Sequence, residues 1–134
     1  MKPASEIILD LIDNDSPDWT ATENAFFGAE PDEPINCLTL FDYESWVQDP
    51  KLNYDMDHVQ VRIRDASYKS AWTKINNIKL LLNGISPFNS GDDEVGGIWI
   101  QVPPMPVGRD AKGHHIFTMT LRVLIVRFEK GNRQ

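Results

Sequence analysis

The clearest alternation of apolar and polar positions lies in the run IFTMTLRVLIVRF near the end of the chain. One face of this run is apolar and consists of Phe117, Met119, Leu121, Val123 and Ile125, while the other face starts polar and ends apolar. A period of two predicts a strand. Thirteen residues at about 3.3 Å each would span roughly 43 Å, which is long for a compact chain of this size. We therefore expect this strand to bend, bulge or project, and a neighbouring subunit is one way to cover its apolar root.

The residues before this run predict its antiparallel partner. The sequence reads GGIWIQV, then PPMPVGRDAKGHH, and then the final strand. The first segment is strand-like over Ile98–Val102, and the Pro and Gly residues that follow favour a break and a tight turn. The pattern predicts a long C-terminal hairpin.

Two helices are predicted from apolar positions at helical spacing. Ser5 is the expected N-cap of the first, whose stripe is Ile7, Ile8, Leu11 and Ile12. Asp65 or Ser67 can cap the second, which Asn83-Gly84 ends. Its stripe contains Tyr68, Ala71, Trp72, Ile75, Ile78 and Leu82.

The remaining segments predict three strands and two links. Asn24–Ala29 and Ile35–Phe41 read as a hairpin around Glu-Pro-Asp-Glu-Pro, and His58–Arg64 alternates with one apolar face. Asp42–Asp57 reads as a long acidic loop with aromatic residues, which either docks on a partner or folds back onto the body, and Ser86–Gly97 reads as a polar link. The predicted fold is α+β, a mainly antiparallel sheet packed against two helices in the order α-β-β-β-α-β-β, within a single domain over residues 1–134.

Charge is distributed unevenly along the 134 residues, whose net charge is −7. Residues 1–57 hold 14 acidic residues and 2 lysines, whereas the rest of the chain holds 6 acidic residues and 11 Lys and Arg. The acidic part is either a solvated surface or the complement of the basic part of an adjacent subunit. An acidic surface repels phosphates, so we expect no tight binding of nucleic acid. We also expect a protein without a secretion signal or membrane span, made inside the cell, in which the single Cys37 is a buried thiol.

No catalytic or metal-binding motif stands out. The three histidines are His58, His114 and His115, and the adjacent pair should point in opposite directions as a strand begins. Nucleophile elbows, phosphate-binding loops and zinc-protease helices are absent from the sequence. We therefore expect no enzymatic activity, metal or cofactor. Trp72 and Trp99 are expected in the core or an interface, whereas Trp19 and Trp46 lie in irregular segments and are candidate binding anchors.

The stretch PPMPVGRDAKGHHIFTMTLRV resembles the closing hairpin of the minor capsid and tail-terminator proteins of long-tailed bacteriophages. The opening SEIILDLI, the strand VQVRIR and the helix DASYKSAWTKINNIKLLLNG follow that family's order, while His114-His115 departs from the expected polar lead into the strand. The resemblance implies a ring, a hexamer, that caps the tail-tube protein, contacts the head-connector protein and lets DNA pass without specific binding. It implies a location in the virion, after assembly in the host cytoplasm.

Eight residues are the candidate contacts with other copies or partners: Trp46, Tyr54, Trp99, Gln101, Arg109, Asp110, His114 and Arg122. Arg109 is either solvated in a turn that Asp110 stabilises, or bonded to an acidic group of the adjacent subunit. Three other functions remain open. They are a head-completion protein of the same particle, a small adaptor that binds a protein partner, and, least favoured, an enzyme.

Overall fold

The computed structural model describes residues 2–16, 18–46, 54–85, 87–91 and 93–127. Its described elements are α1 (Ala4–Asp15), β1 (Ala25–Phe27), β2 (Cys37–Trp46), β3 (Tyr54–Asp65), α2 (Tyr68–Leu82), β4 (Phe88–Ser90), β5 (Asp93–Arg109) and β6 (His115–Arg127). The strands form one sheet in the order β1-β2-β3-β6-β5-β4, in which only β1 and β2 run parallel. The predicted α+β class with two helices and a mainly antiparallel sheet is confirmed.

The core lies on the face of the sheet that both helices cover. Val59, Val61 and Ile63 of β3 stand opposite Leu121, Met119 and Phe117 of β6, and all six side chains are buried. Val123 and Ile125 continue this buried row. The period-two predictions for these two strands are confirmed, because paired residues of an antiparallel ladder share one face.

Helix α2 forms where the sequence predicts it, but Tyr68 and Trp72 of the predicted stripe are exposed. Ala71, Ile75, Ile78 and Leu82 are its buried residues. Of the two candidate caps, Ser67 is the N-cap and accepts a hydrogen bond from the Ser70 amide at 3.3 Å. Asp65 supports the same turn, since it accepts from the Ser67 amide and from the Ser70 hydroxyl.

The predicted N-cap of α1 is wrong. Pro3 occupies the cap position without a side-chain bond, and Ser5 lies buried inside the first turn. The carboxylate of Asp42 in β2 accepts from the Ser5 amide at 3.0 Å and from its hydroxyl at 2.7 Å. A carboxylate from a distant strand thus satisfies the helix N-terminus, where negative charge is favourable.

The predicted hairpin over residues 24–41 is also wrong, because β1 and β2 are parallel, with Ala25 opposite Leu38. Parallel pairing requires the connecting residues 28–36 to return to the starting edge. The buried guanidinium of Arg64 organises this return by donating to the carbonyls of Pro31, Pro34 and Ile35 at 2.7, 2.9 and 2.9 Å. A cation bound to several carbonyls holds the loop on the sheet.

Two predicted links contain strand residues. The expected loop Asp42–Asp57 is shortened, since β2 continues to Trp46 across an irregularity between Asp42 and Ser45, and β3 begins at Tyr54. Its middle, residues 47–53, lies outside the described residues. The expected link Ser86–Gly97 contains β4, which pairs with the start of β5, so the predicted element order lacks one strand. Hydrogen bonds to neighbouring strands outweigh the weak strand propensity of these polar residues.

Candidate protein-docking surface

The outer edge of β5 is the most unusual surface among the described residues. β4 covers only Asp93–Val95, so no described strand pairs with the outer side of β5 beyond that point. Pro103, Pro104 and Pro106 lie in this uncovered part and have no amide proton to donate. Prolines on an edge strand block the addition of another strand. The edge can therefore bind a partner through side chains but is a poor template for sheet extension.

Apolar side chains are exposed along this edge. Trp99 is 41% exposed, and Val102, Met105 and Val107 are 37%, 45% and 50% exposed. We name these four residues the β5 edge patch. Only Trp99 was expected as a contact from the sequence. The signal for the other three was the run VPPMPV, in which prolines mark a strand edge and leave the apolar residues between them without a core to face.

Trp99 and Arg122, both predicted contacts, are brought together in the structure. They stand opposite each other on β5 and β6, and the Arg122 guanidinium carbon lies 5.2 Å from the centre of the indole ring. This distance is that of a cation–π contact, which contributes about 0.5–1 kcal/mol at exposed sites. The contact orders an exposed tryptophan before any partner arrives. Gln101, a third predicted contact, is exposed on the same strand.

Three more predicted contacts form the turn between β5 and β6. Asp110 accepts from the amides of Lys112 and His114 at 2.9 and 2.8 Å, and its other oxygen lies 3.0 Å from Nδ1 of His114. The prediction that Asp110 bonds nearby amides is confirmed. Partial burial raises the pKa of the Asp110 carboxyl, but the His114 and Lys112 bonds lower it more, so its pKa lies below the ordinary value. The turn is thus held by an ionised Asp110.

Arg109 is exposed beside this turn, and no carboxylate of the described residues lies within ion-pair distance of it. It lines a pocket of about 240 Å³ whose other walls are mainly apolar. Tyr68 is one of these walls, and its ring packs edge-on against the rings of His115 and Phe117 at 5.6 and 5.1 Å. The first residue of α2 therefore packs beside the turn that joins β5 and β6.

Trp46 and Tyr54 are not brought to the β5 edge. They belong to β2 and β3, and β6 separates those strands from β5. Tyr54 stands opposite Val126 in the ladder, whereas Trp46 stands opposite Met56. Trp46 and Tyr54 therefore lie on strands that do not border the β5 edge patch.

Two other tryptophans, Trp19 and Trp72, lie in different surroundings from each other. Trp19, a candidate binding anchor, is only 4% exposed and lies under Nζ of Lys74, which is 5.7 Å from its ring centre. That prediction is wrong, because the chain after α1 folds back beside α2 and covers the ring. Trp72 is 52% exposed, so it is not a core residue. Leu80 on the same helix is 73% exposed and was missed by the sequence reasoning.

The described residues offer no cluster of three metal-ligating side chains. His114 contacts Asp110 whereas His115 contacts Tyr68, so the adjacent rings do not converge. Cys37 is buried as predicted, and its burial raises the pKa of the thiol. In the part of the chain that the structure describes, no helix has the length and apolar character needed to span a bilayer.

This surface combines a Trp–Arg pair, exposed apolar residues on an edge strand and a stabilised turn, which are features common in protein interfaces. Comparison of the sequence with curated proteins gave no match. Comparison with protein families matched residues 10–127 to a family described as bacteriophage tail terminator protein. The match includes every described strand and all of α2. The chain therefore belongs to the bacteriophage tail terminator family, a family of structural tail proteins.

Proposed function

We propose that this protein caps the tail tube of a bacteriophage as a ring of six copies, ends tail polymerisation and provides the surface that joins the head connector. Its partners are other copies of itself, the tail-tube protein and the head-connector protein. It acts at the head–tail junction of the virion after assembly in the host cytoplasm, as a single non-enzymatic domain. Family membership supports the tail role.

The observation that carries the proposal is the proline-interrupted edge of β5. A capping subunit must bind the end of a polymer without offering the polymer a new end to extend. The β5 edge patch supplies apolar contact area, while Pro103, Pro104 and Pro106 remove amide donors from the same edge. A surface that binds but does not template is suited to termination.

Charge supports the expected relation to DNA. The net charge of −7 repels phosphates at long range, so DNA can pass a ring of such subunits without specific binding. The eight candidate contact residues divide by position into the Trp99–Arg122 pair with Gln101, the turn with Arg109, Asp110 and His114, and the separate Trp46 and Tyr54. We assign the first two groups to docking on the tube or connector.

The deciding experiment is electron microscopy of particles assembled without this protein. We expect tails of irregular length, or tails not joined to heads, and restoration by the wild-type chain but not by Trp99→Ala combined with Met105→Ser. Tails of normal length that are properly joined to full heads would refute the proposal.

The same experiment distinguishes tail capping from the main alternative, head completion. Normal tails beside unjoined, leaking heads would identify a head-completion protein instead. The protein-binding adaptor is distinguished by the oligomeric state of the purified protein rather than by the morphology of the particles. Light scattering on the purified protein that gives only monomers or dimers, together with normal particles, would favour the adaptor.

A further inference from the structure

The outward faces of the two helices carry opposite charge. Helix α1 contains four acidic residues and no basic residue, and Glu6, Asp10 and Asp13 fall on one stripe at spacings of four and three residues. Helix α2 contains three lysines, Lys69, Lys74 and Lys79, and no acidic residue. Because both helices bury their other side in the core, the acidic stripe of α1 points away from the sheet, as does the side of α2 that carries Lys69 and Lys79, which we call the basic stripe. Lys74 lies about 140° from Lys69 around the helix and is not part of it.

Part of this charge is already neutralised within the chain. Nζ of Lys74 lies 2.7 Å from Asp65, and Nζ of Lys2 lies 2.7 Å from Asp10. Among the described residues, no ion pair involves Glu6, Asp13, Lys69 or Lys79. Lys69 and Lys79 therefore carry charge that another molecule can meet. The charges of Glu6 and Asp13 are only partly satisfied within the chain, since Glu6 acts on Lys2 and Asp13 accepts from the Ala21 amide at 3.3 Å.

The basic stripe of α2 also exposes large apolar groups. Trp72 is 52% exposed and Leu80 is 73% exposed, whereas the helix buries Ala71, Ile75, Ile78 and Leu82. At about 100° per residue, Lys69, Trp72 and Leu80 lie within roughly 80° of one another on the side away from the core. Exposed Trp and Leu between lysines indicate a contact surface rather than a solvated one.

The two stripes lie toward opposite edges of the same sheet. Helix α1 packs on β1, β2 and β3, while α2 packs on β3, β6 and β5, and β1 and β4 are the outermost strands. One copy thus presents, on the same face of the sheet, an acidic helix toward the β1 edge and a basic, partly apolar helix toward the β4 edge. Surfaces of this kind suit a head-to-tail contact that repeats from copy to copy.

We propose that the outward face of α2, formed by Lys69, Trp72, Lys79 and Leu80, docks on the acidic face of α1, formed by Glu6 and Asp13, of a second copy. This assignment rests on the proposed function, which requires copies to associate. It names surfaces separate from the β5 edge patch, which stays available for the tube or connector. The helices of 12 and 15 residues are about 18 and 22 Å long, so their faces match in length.

A charge exchange tests the contact. The α2 variant is Lys69→Glu with Lys79→Glu, and the α1 variant is Glu6→Lys with Asp13→Lys. Each variant alone places like charges at every contact, so self-association should weaken at least about tenfold. When the two variants are mixed, each α2 face meets an α1 face of opposite charge on the other variant. Association should return to near the wild-type level, with the two variants alternating.

Sedimentation and light scattering measure association over a range of protein concentration, and melting curves show that each variant folds. Lys112→Glu and Glu23→Lys are the controls, because both residues are exposed and lie outside the two stripes. They should leave association unchanged. Leu80→Ser should weaken association at unchanged melting temperature, and raising the salt from about 0.05 M to 0.5 M should weaken it further through screening.

Three results would overturn the assignment. They are a wild-type chain that stays monomeric at every concentration, charge variants that associate as well as the wild type, and failure of the mixture to associate when each variant alone is folded. A failure of the proposed tail function can be distinguished from a failure of this helix contact. If the copies associate through these helices but particles lacking the protein have normal tails, tail capping is refuted. The helix contact is then still supported.

Discussion

Gly97 lies directly beneath the indole ring of Trp99. A Cβ placed on Gly97 would stand 2.6 Å from Cη2 and 2.8 Å from Cζ2 of that ring, distances that atoms do not tolerate. The missing side chain therefore makes room for the indole to lie against the backbone of its own strand, while the Arg122 guanidinium packs against it. The orientation of Trp99, the tryptophan of β5, depends on a glycine two residues before it.

Gly97→Ala should displace the Trp99 ring and weaken partner docking more than it weakens folding. The ring is exposed and can move away, so we expect the free energy of unfolding to change by less than about 1 kcal/mol. Tryptophan fluorescence and binding to isolated tail tubes measure the two effects. Gly96→Ala is the matched control, since its Cβ would meet Leu124 instead. Unchanged docking by Gly97→Ala would contradict the role given to Trp99.

Arg64→Met should destabilise the fold by about 2–4 kcal/mol, because it leaves several carbonyls of residues 31–35 without their donor. Urea unfolding followed by circular dichroism measures the loss. Arg62→Met on the same strand removes a partly exposed pair with Glu30 and should cost less than about 1 kcal/mol. Equal losses for the two variants would show that the carbonyl contacts do not hold the loop.

Asp65→Asn should destabilise the protein at neutral pH and reduce the dependence of its stability on pH in the acidic range. Burial raises the pKa of Asp65, but bonds from Lys74, Ser67 and Ser70 lower it more, so the folded-state pKa lies below the unfolded value. The carboxylate therefore stabilises the fold above its unfolded pKa of about 3.9, and this stabilisation is lost as the pH falls through the folded pKa. We expect a loss of about 1–3 kcal/mol at pH 7 that shrinks toward pH 3. Thermal melting across this pH range measures the loss. A difference in stability between wild type and variant that does not change with pH would contradict the prediction.

Arg109→Glu should leave folding nearly unchanged and reduce docking. Arg109 is exposed at the end of β5, so the free energy of unfolding should change by about 0.5 kcal/mol or less. Reversal of a charge that pairs with a partner costs about 2 kcal/mol or more in binding. Melting curves beside a tube-binding or assembly assay compare the two quantities. An unchanged binding constant would leave Arg109 as a solvated turn residue.

The candidate surface was only partly predictable from the sequence. Trp99 and Arg122 were separate candidates, and only the β5–β6 register places the indole against the guanidinium. Met105 and Val107 lie among prolines that mark a strand edge, but the run shows no periodicity from which their shared exposure could be predicted. Trp19 is buried where an exposed anchor was expected, and the exposure of Trp72 excludes the core from its two expected positions, because burial depends on what folds over a side chain rather than on its neighbours in sequence.

The sequence by itself determined the elements whose periodicity is local. The alternation in β3 and β6 and the helical spacing of Ala71, Ile75 and Ile78 specify which side of each element is apolar, because those side chains must leave water together. Only the tertiary structure decided which elements meet. The parallel pairing of β1 with β2, the Arg64 carbonyl contacts and the bond of Asp42 to Ser5 join residues roughly 10 to 40 positions apart. Periodicity identifies the apolar side of an element but not the element that packs against it. These non-local contacts therefore depend on hydrogen-bond geometry that exists only once the chain is folded.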